Sequence, residues 1–179
     1  LLLIAISGTA SFAYEVLWVR LLGFVLGGST AAFATMLASF LIGISLGSAV
    51  ASRFARDAAR AGLGFATAQL MTALMAWMTF YLADYVPSLA SYFNASSTNL
   101  LPGAAVAILV LLPVTTCIGA SFPFAVRLME KDVDDAASAS ARVYAWNTLG
   151  SIVGSAATGF WLLPAAGFEG TLVIGATLN

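Results

Sequence analysis

Apolar residues fill the chain from Leu1 almost without pause, and the residues that interrupt them are mostly small or hydroxylated. A helix that is apolar all round is buried in protein or in lipid, and about 20 such residues cross a bilayer. Segmentation at that length predicts five full spans, at residues 1–26, 30–52, 61–85, 101–128 and 143–163, and a truncated sixth beginning near Gly170. The predicted fold class is all-α, a polytopic transmembrane helix bundle forming one domain over residues 1–179. The chain starts without Met and stops inside an apolar stretch, so it reads as a fragment of a longer protein.

The basic residues give the spans a direction. Arg53, Arg56 and Arg60 fall between the second and third spans, and Arg127, Lys131 and Arg142 where the fourth span gives way to the fifth. The opposite connections, "GGS", "VPSLASYFNASSTNL" and "PAAGFEG", contain no Lys or Arg. Positive charge gathers in cytoplasmic loops, so the expected N-terminus is cytoplasmic. The acidic stretch "MEKDVDDAASASA" reads as a solvated connector, since it lacks the alternating ligands and Gly of a calcium loop. "VPSLASYFNASSTNL" is expected to hold a short interfacial helix, with Tyr85, Tyr92 and Phe93 at headgroup level. "NAS" within it matches a glycosylation sequon, relevant only in a eukaryotic secretory pathway.

Composition agrees with a lipid-facing surface. The chain is 61% hydrophobic and 8% charged, against about 25% charged in soluble domains, and its mean hydropathy is +0.98. The lipid bilayer is therefore its first partner. No basic patch suits nucleic acid. With no His and a single Cys, Cys117, the sequence offers no haem or zinc ligation, no disulfide within the chain and no thiolate cluster. Neither a cofactor nor a metal is expected, and Cys117 reads as a small packed residue.

Helices in lipid associate through small residues that let backbones approach. Gly43-x-x-x-Gly47 and Gly150-x-x-x-Gly154 are the strongest candidate packing stripes, with Gly23-x-x-x-Gly27 and Ser155-x-x-x-Gly159 beside them. The fourth span carries Pro113 and Pro123, which predict a kink, with a broken helix as the sharper alternative. Thr115, Thr116 and Ser121 stand ready to satisfy freed carbonyls.

The candidate polar chemistry is concentrated in "YEVLWVRLLG", where Glu15 and Arg20 interrupt the first span. Five residues separate them, about 7.5 Å of rise and about 140° of rotation, so they do not pair on one helix face. An intramembrane charge is costly and turns toward protein or water. The bland expectation is an interhelical polar network of Glu15, Arg20, Gln69 and Asn147, with Asp84 a further partner for Arg20. The sharper one is a cation or proton site at Glu15, with Tyr14 and Trp18 nearby for cation–π contact.

"SGTASFAYEVLWVRLLGFVLGGSTAAFATMLASFLIGISLGSAVASRFA", "LLPVTTCIGASFPFAVRLM" and "RVYAWNTLGSIVGSAATGFWLLPAAGFEGTL" resemble, in that order, the membrane domain of bacterial fused major-facilitator-like/spermidine-synthase proteins. The first carries an aromatic-Glu-x-x-Trp-x-Arg-Leu-Leu core, and the last a Tyr-Ala-x-Asn-Thr-Leu-Gly segment. The resemblance implies a helical membrane domain of the bacterial cytoplasmic (inner) membrane, often followed by a cytoplasmic, Rossmann-like aminopropyltransferase-type domain. It carries no catalytic residue onto this chain, because no Gly-x-Gly loop follows a strand here. "GSAVASRFARDAARAG" also resembles the loop between the second and third helices of major facilitators, without the acid that loop has before its first arginine.

Two functions follow as expectations. The first is a non-catalytic integral membrane module serving as a structural or accessory component, alongside other membrane subunits or in a homo-oligomer. The alternative is a transporter-like module that binds or moves a small cationic metabolite such as a polyamine. An intramembrane enzyme is disfavoured, since no acid–base or nucleophile–base spacing is visible.

Overall fold

The computed structural model describes residues 1–95, 100–130 and 135–179. Every regular element among them is helical. The long helices are α1 (Leu2–Leu26), α2 (Thr30–Ala51), α3 (Ala58–Tyr81), α5 (Leu100–Met129) and α6 (Ala136–Ala157), with the short α4 (Val86–Tyr92) and a final α7 (Leu163–Leu178). Five helical stretches are long and apolar enough to cross a membrane, the build of an integral membrane protein.

Local chemistry sets the boundaries. Gly27, at φ 88°, stops α1. Ser29 then caps α2 by accepting from the Ala32 amide at 3.1 Å. Asp57 caps α3 by accepting from the Arg60 amide at 2.8 Å, which starts that helix at Ala58 rather than at the expected residue 61. Pro87 sits in the first turn of α4, where its missing N–H costs nothing. The connector before α6 is rich in Ala and Ser, and Ala is the best helix former. It therefore extends α6 back to Ala136, beyond the apolar span itself.

The last two helices meet at an unusual corner. The ladder of α6 widens into a π turn over Thr158–Leu162, immediately before Pro164, whose ring clashes with a tight turn behind it. Gly167 then takes φ 69°, ψ −170° and breaks the helical path inside α7. The residues after it return as the short sixth segment.

α5 stays helical through both Pro113 and Pro123, so the broken-helix alternative does not hold. The missing amides free the carbonyls four residues back, at Leu109 and Gly119. The nearby hydroxyls serve other carbonyls: Thr115 donates to Leu111 and Leu112, and Ser121 to Ile118.

Two parallel helix pairs dominate the packing. In the first, α2 lies on α5. A Cβ at Gly43 would overlap the Thr115 side chain, one at Gly47 the Thr116 carbonyl, and one at Gly119 the Ile44 backbone. In the second, α1 lies on α6, where a Cβ at Gly150 would overlap the Ala5 carbonyl and one at Gly154 the Thr9 carbonyl. Gly23 and Gly159 face open space and take no part in either seam. α3 covers α5, and α7 fills the cleft between α1 and α3.

All described arginines except Arg20 stand at one end of the bundle, called here the arginine end. Arg127 pairs with Glu130 at 2.7 Å and Arg142 with Asp135 at 2.9 Å, and Arg142 also reaches the Met129 carbonyl at 3.3 Å. Arg142 thereby ties the end of α5 to the start of α6. Lys131 and Ser96 of the sequon lie outside the described residues. On α6 the exposed Tyr144 and Trp146 mark the arginine end, and Phe160 and Trp161 the far end. About 17 residues, roughly 25 Å of helix, separate these aromatics, close to the hydrocarbon thickness of a bilayer.

Candidate functional site

The core is split along the bundle axis. In the far half, Tyr14, Leu17, Trp18, Leu22, Met36, Val106, Leu111 and Leu172 form one continuous cluster. At the arginine end a smaller plug forms from Ile4, Ala125 and Val143, backed by Phe65, Phe122, Val126 and Met129. A cavity of about 200 Å³ lies between these clusters. It sits at the junction of the two glycine-sealed pairs, with α1 and α6 on one side and α2 and α5 on the other.

Its wall mixes aromatic rings with neutral polar groups. Phe12, Phe40, Phe65 and Phe122 supply apolar surface, while Ser7, Ser11, Ser48, Ser121 and Asn147 supply hydroxyls and an amide. No charged side chain is among the described residues that line it. Ser7 donates to Gln69 Oε1 at 3.2 Å, joining α1 to α3 beside the cavity. Gln69 is only 7% exposed, so this bond relieves part of the cost of burying an amide among apolar neighbours.

Glu15 stands one helical turn farther from the arginine end. It follows Ser11 by four residues and Phe12 by three, so it continues the face of α1 that lines the cavity. Glu15 is half-buried. Its Oε2 is fully buried and has no hydrogen-bond partner among the described residues. A buried carboxylate oxygen with no donor is a costly feature that calls for an occupant, a proton or a functional reason.

The other sequence candidates divide between separate environments. Tyr14 is fully buried, and its hydroxyl oxygen accepts from Asn179 Nδ2 at 2.8 Å. Trp18 is buried edge-on against Phe168, with ring centroids 5.7 Å apart, and its Nε1 has no partner among the described residues. Both contacts tie α1 to α7. Asn147 stands on the cavity wall, close enough to Gly8 that a Cβ there would press on its carbonyl and Oδ1. Asn147 thus lines the cavity and Gln69 stands behind it through Ser7, while Tyr14 and Trp18 belong to the far cluster.

Arg20 is not part of an interior seam. It is exposed and makes no ion pair among the described residues. The register of the α1–α6 seam explains its position. Ala5 meets Gly150 and Thr9 meets Gly154, and extending that register puts Arg20 level with the corner near Ala165. A guanidinium at that depth reaches the interfacial region by snorkelling. The expected partners Asp84, Gln69 and Asn147 do not reach it: Gln69 bonds Ser7 instead, and Asp84 lies in the 3₁₀ turn Ala83–Tyr85.

Sequence reasoning missed the serines of the cavity. A signal existed in Ser7, Ser11 and Glu15, which recur every four residues and so share one face of a helix.

Comparison with protein-family models, curated proteins and solved structures finds no match to this chain.

Proposed function

We propose that this bundle is a non-catalytic, transporter-like membrane module that holds a small organic cation between its two helix pairs. The observation that carries this reading is the cavity at the junction of those pairs, bordered at the arginine end by a small hydrophobic cluster. Glu15, with its unpartnered oxygen, continues the cavity's face one turn farther along α1. Each pair is sealed internally by backbone contact, so relative motion is easiest between the pairs. Rocking of one sealed unit against another around a central site is a recurring route to alternating access.

The phenylalanines suit the methylene body of an organic amine, the serines and Asn147 accept N–H hydrogen bonds, and Glu15 supplies the counter-charge. The resemblance to the membrane domain of fused spermidine-synthase proteins supports a polyamine-like ligand. The clustering of arginines at one end supports placing that end on the cytoplasmic side, and the resemblance supports a bacterial inner membrane.

A second reading is a structural or accessory subunit of a larger membrane assembly. It is favoured by one specific observation: the cavity wall itself bears no charge.

Uptake and binding of radiolabelled putrescine by proteoliposomes, against the neutral 1,4-butanediol, separates the two. The transporter-like reading expects putrescine retention in the wild type and its loss in Glu15→Gln and in the cavity-filling Ser121→Phe. Equal handling of both solutes by all three proteins leaves the accessory reading.

A further inference from the structure

At the arginine end, between the α2–α3 connection, the start of α3 and the end of α5, lies a groove unrelated to the central cavity. Its bed is apolar: Phe54, Leu63 and Phe124 line it, and its rim carries Arg56 and Arg60. Gly64 lets the Phe124 ring pack directly against the α3 backbone as the floor of the groove, because a Cβ there would overlap that ring. Phe54 and Leu63 are 61% and 73% exposed. They present apolar surface at the level where the chain leaves the membrane.

The charge balance is one-sided. Arg53, Arg56 and Arg60 lie within eight residues, with Asp57 the single acid among them. Asp57 is occupied twice, by the Arg60 amide at 2.8 Å and by Arg60 Nε at 3.3 Å. Arg56 Nε donates to the Arg53 carbonyl at 3.3 Å, which fixes the root of its guanidinium. No carboxylate pairs with Arg56 among the described residues. The groove thus joins excess positive charge at the rim to an apolar bed beneath.

The bed continues into the bilayer. Leu70 and Leu74 are exposed on the same side of α3 as Leu63, seven and eleven residues farther on. Between them the exposed Thr67 donates its hydroxyl back to the Leu63 carbonyl, which satisfies it within the helix. The result is a greasy track about 16 Å long, starting under two guanidiniums.

We propose that this groove is a binding site for one anionic phospholipid. The phosphate sits between Arg56 and Arg60, and an acyl chain follows Leu63, Leu70 and Leu74. Guanidinium groups match phosphate oxygens in geometry and charge. Basic pockets between helices at a membrane surface are established recognition sites for anionic headgroups. An aqueous phosphate would gain nothing from the apolar bed, so a lipid is the fitting occupant.

Native mass spectrometry of the purified protein with added lipid tests this. Phosphatidylglycerol is expected to be retained as a single adduct in preference to phosphatidylcholine of the same chain length. The exposed double variant Arg56→Ala/Arg60→Ala is expected to hold it about twenty-five-fold less tightly, each basic residue contributing about fivefold. Leu63→Gln is expected to weaken retention while leaving the charge intact. Arg20→Ala, at the opposite end, is the control and leaves retention unchanged. Three results would overturn the proposal: equal retention of the two lipids, full retention by the double variant, or binding of glycerol-3-phosphate as tight as that of the lipid.

Discussion

The hydroxyl of Thr9 on α1 reaches the carbonyl of Gly150 on α6 at 3.0 Å, while also touching its own helix at the Ala5 carbonyl. That bond is possible only because residue 150 has no side chain. The two features contribute unequally. Thr9→Val removes one interhelical hydrogen bond, worth about 0.6 kcal/mol on average in a membrane. Gly150→Val forces the helices apart along the whole seam, and overpacking typically costs about 1–3 kcal/mol. Unfolding of the reconstituted protein is expected to rank Gly150→Val well below Thr9→Val in stability. The reverse ranking would mean that the seam is held by the hydrogen bond rather than by close approach.

The α2–α5 seam gives a matched comparison. A Cβ at Gly43 lands on Thr115, whereas one at Gly23 meets nothing within 4 Å. Gly43→Ala is therefore expected to destabilise. Gly23→Ala is expected to be neutral or stabilising by up to about 1 kcal/mol, because Gly is a poor residue within a helix. Thermal denaturation of both variants in one detergent checks the sign of each change.

Gly167 holds the α6–α7 corner at φ 69°, ψ −170°, a region essentially reserved for glycine. Gly167→Ala is expected to cost about 1–3 kcal/mol. The damage should stay local. Trp18 packs against Phe168, the residue after the corner, so a change in tryptophan fluorescence should accompany the loss of stability.

Glu15→Gln separates structure from binding. Glu15 Oε2 has no donor, so the amide breaks no ion pair or hydrogen bond to that oxygen. Stability is expected to be unchanged or raised, while retention of an organic amine is lost. A large drop in melting temperature would show that the carboxylate is structurally engaged.

Sidedness is open to a chemical test in a Cys117→Ser background. Ala58 and Glu169 are both exposed, at the arginine end and in the opposite corner region respectively. In oriented membrane vesicles, Ala58→Cys is expected to react with an impermeant thiol reagent only from the cytoplasmic side, and Glu169→Cys only from the other. Labelling of both from one side would contradict the topology.

Much of the bundle is legible in the amino-acid sequence. The first two spans match α1 and α2 closely, because Gly27 and Ser29 mark the break between them in the sequence itself. Hydropathy starts the third and fifth three and seven residues too late, because it registers where lipid begins and not where a helix does. The π turn before Pro164 could not be read from apolar content at all.

The candidate site was less legible. Glu15 announced itself by its cost in an apolar run, but its neighbours did not. Ser7, Ser11, Ser48 and Ser121 look like ordinary small residues of membrane helices until three-dimensional packing sets them around one space.

Sequence alone determined the all-helical class, the number of spans, the ends at which charge gathers and the oddity of Glu15. Each of these depends only on how a short stretch of chain compares with water or lipid as its solvent. The tertiary structure decided which glycines touch, that α1 runs beside α6 and α2 beside α5, that a cavity separates those pairs, and that Arg20 is level with a corner. In a bilayer the faces turned to lipid and to protein are both apolar. Hydropathy therefore cannot tell them apart, and only the fit of one helix surface against another can.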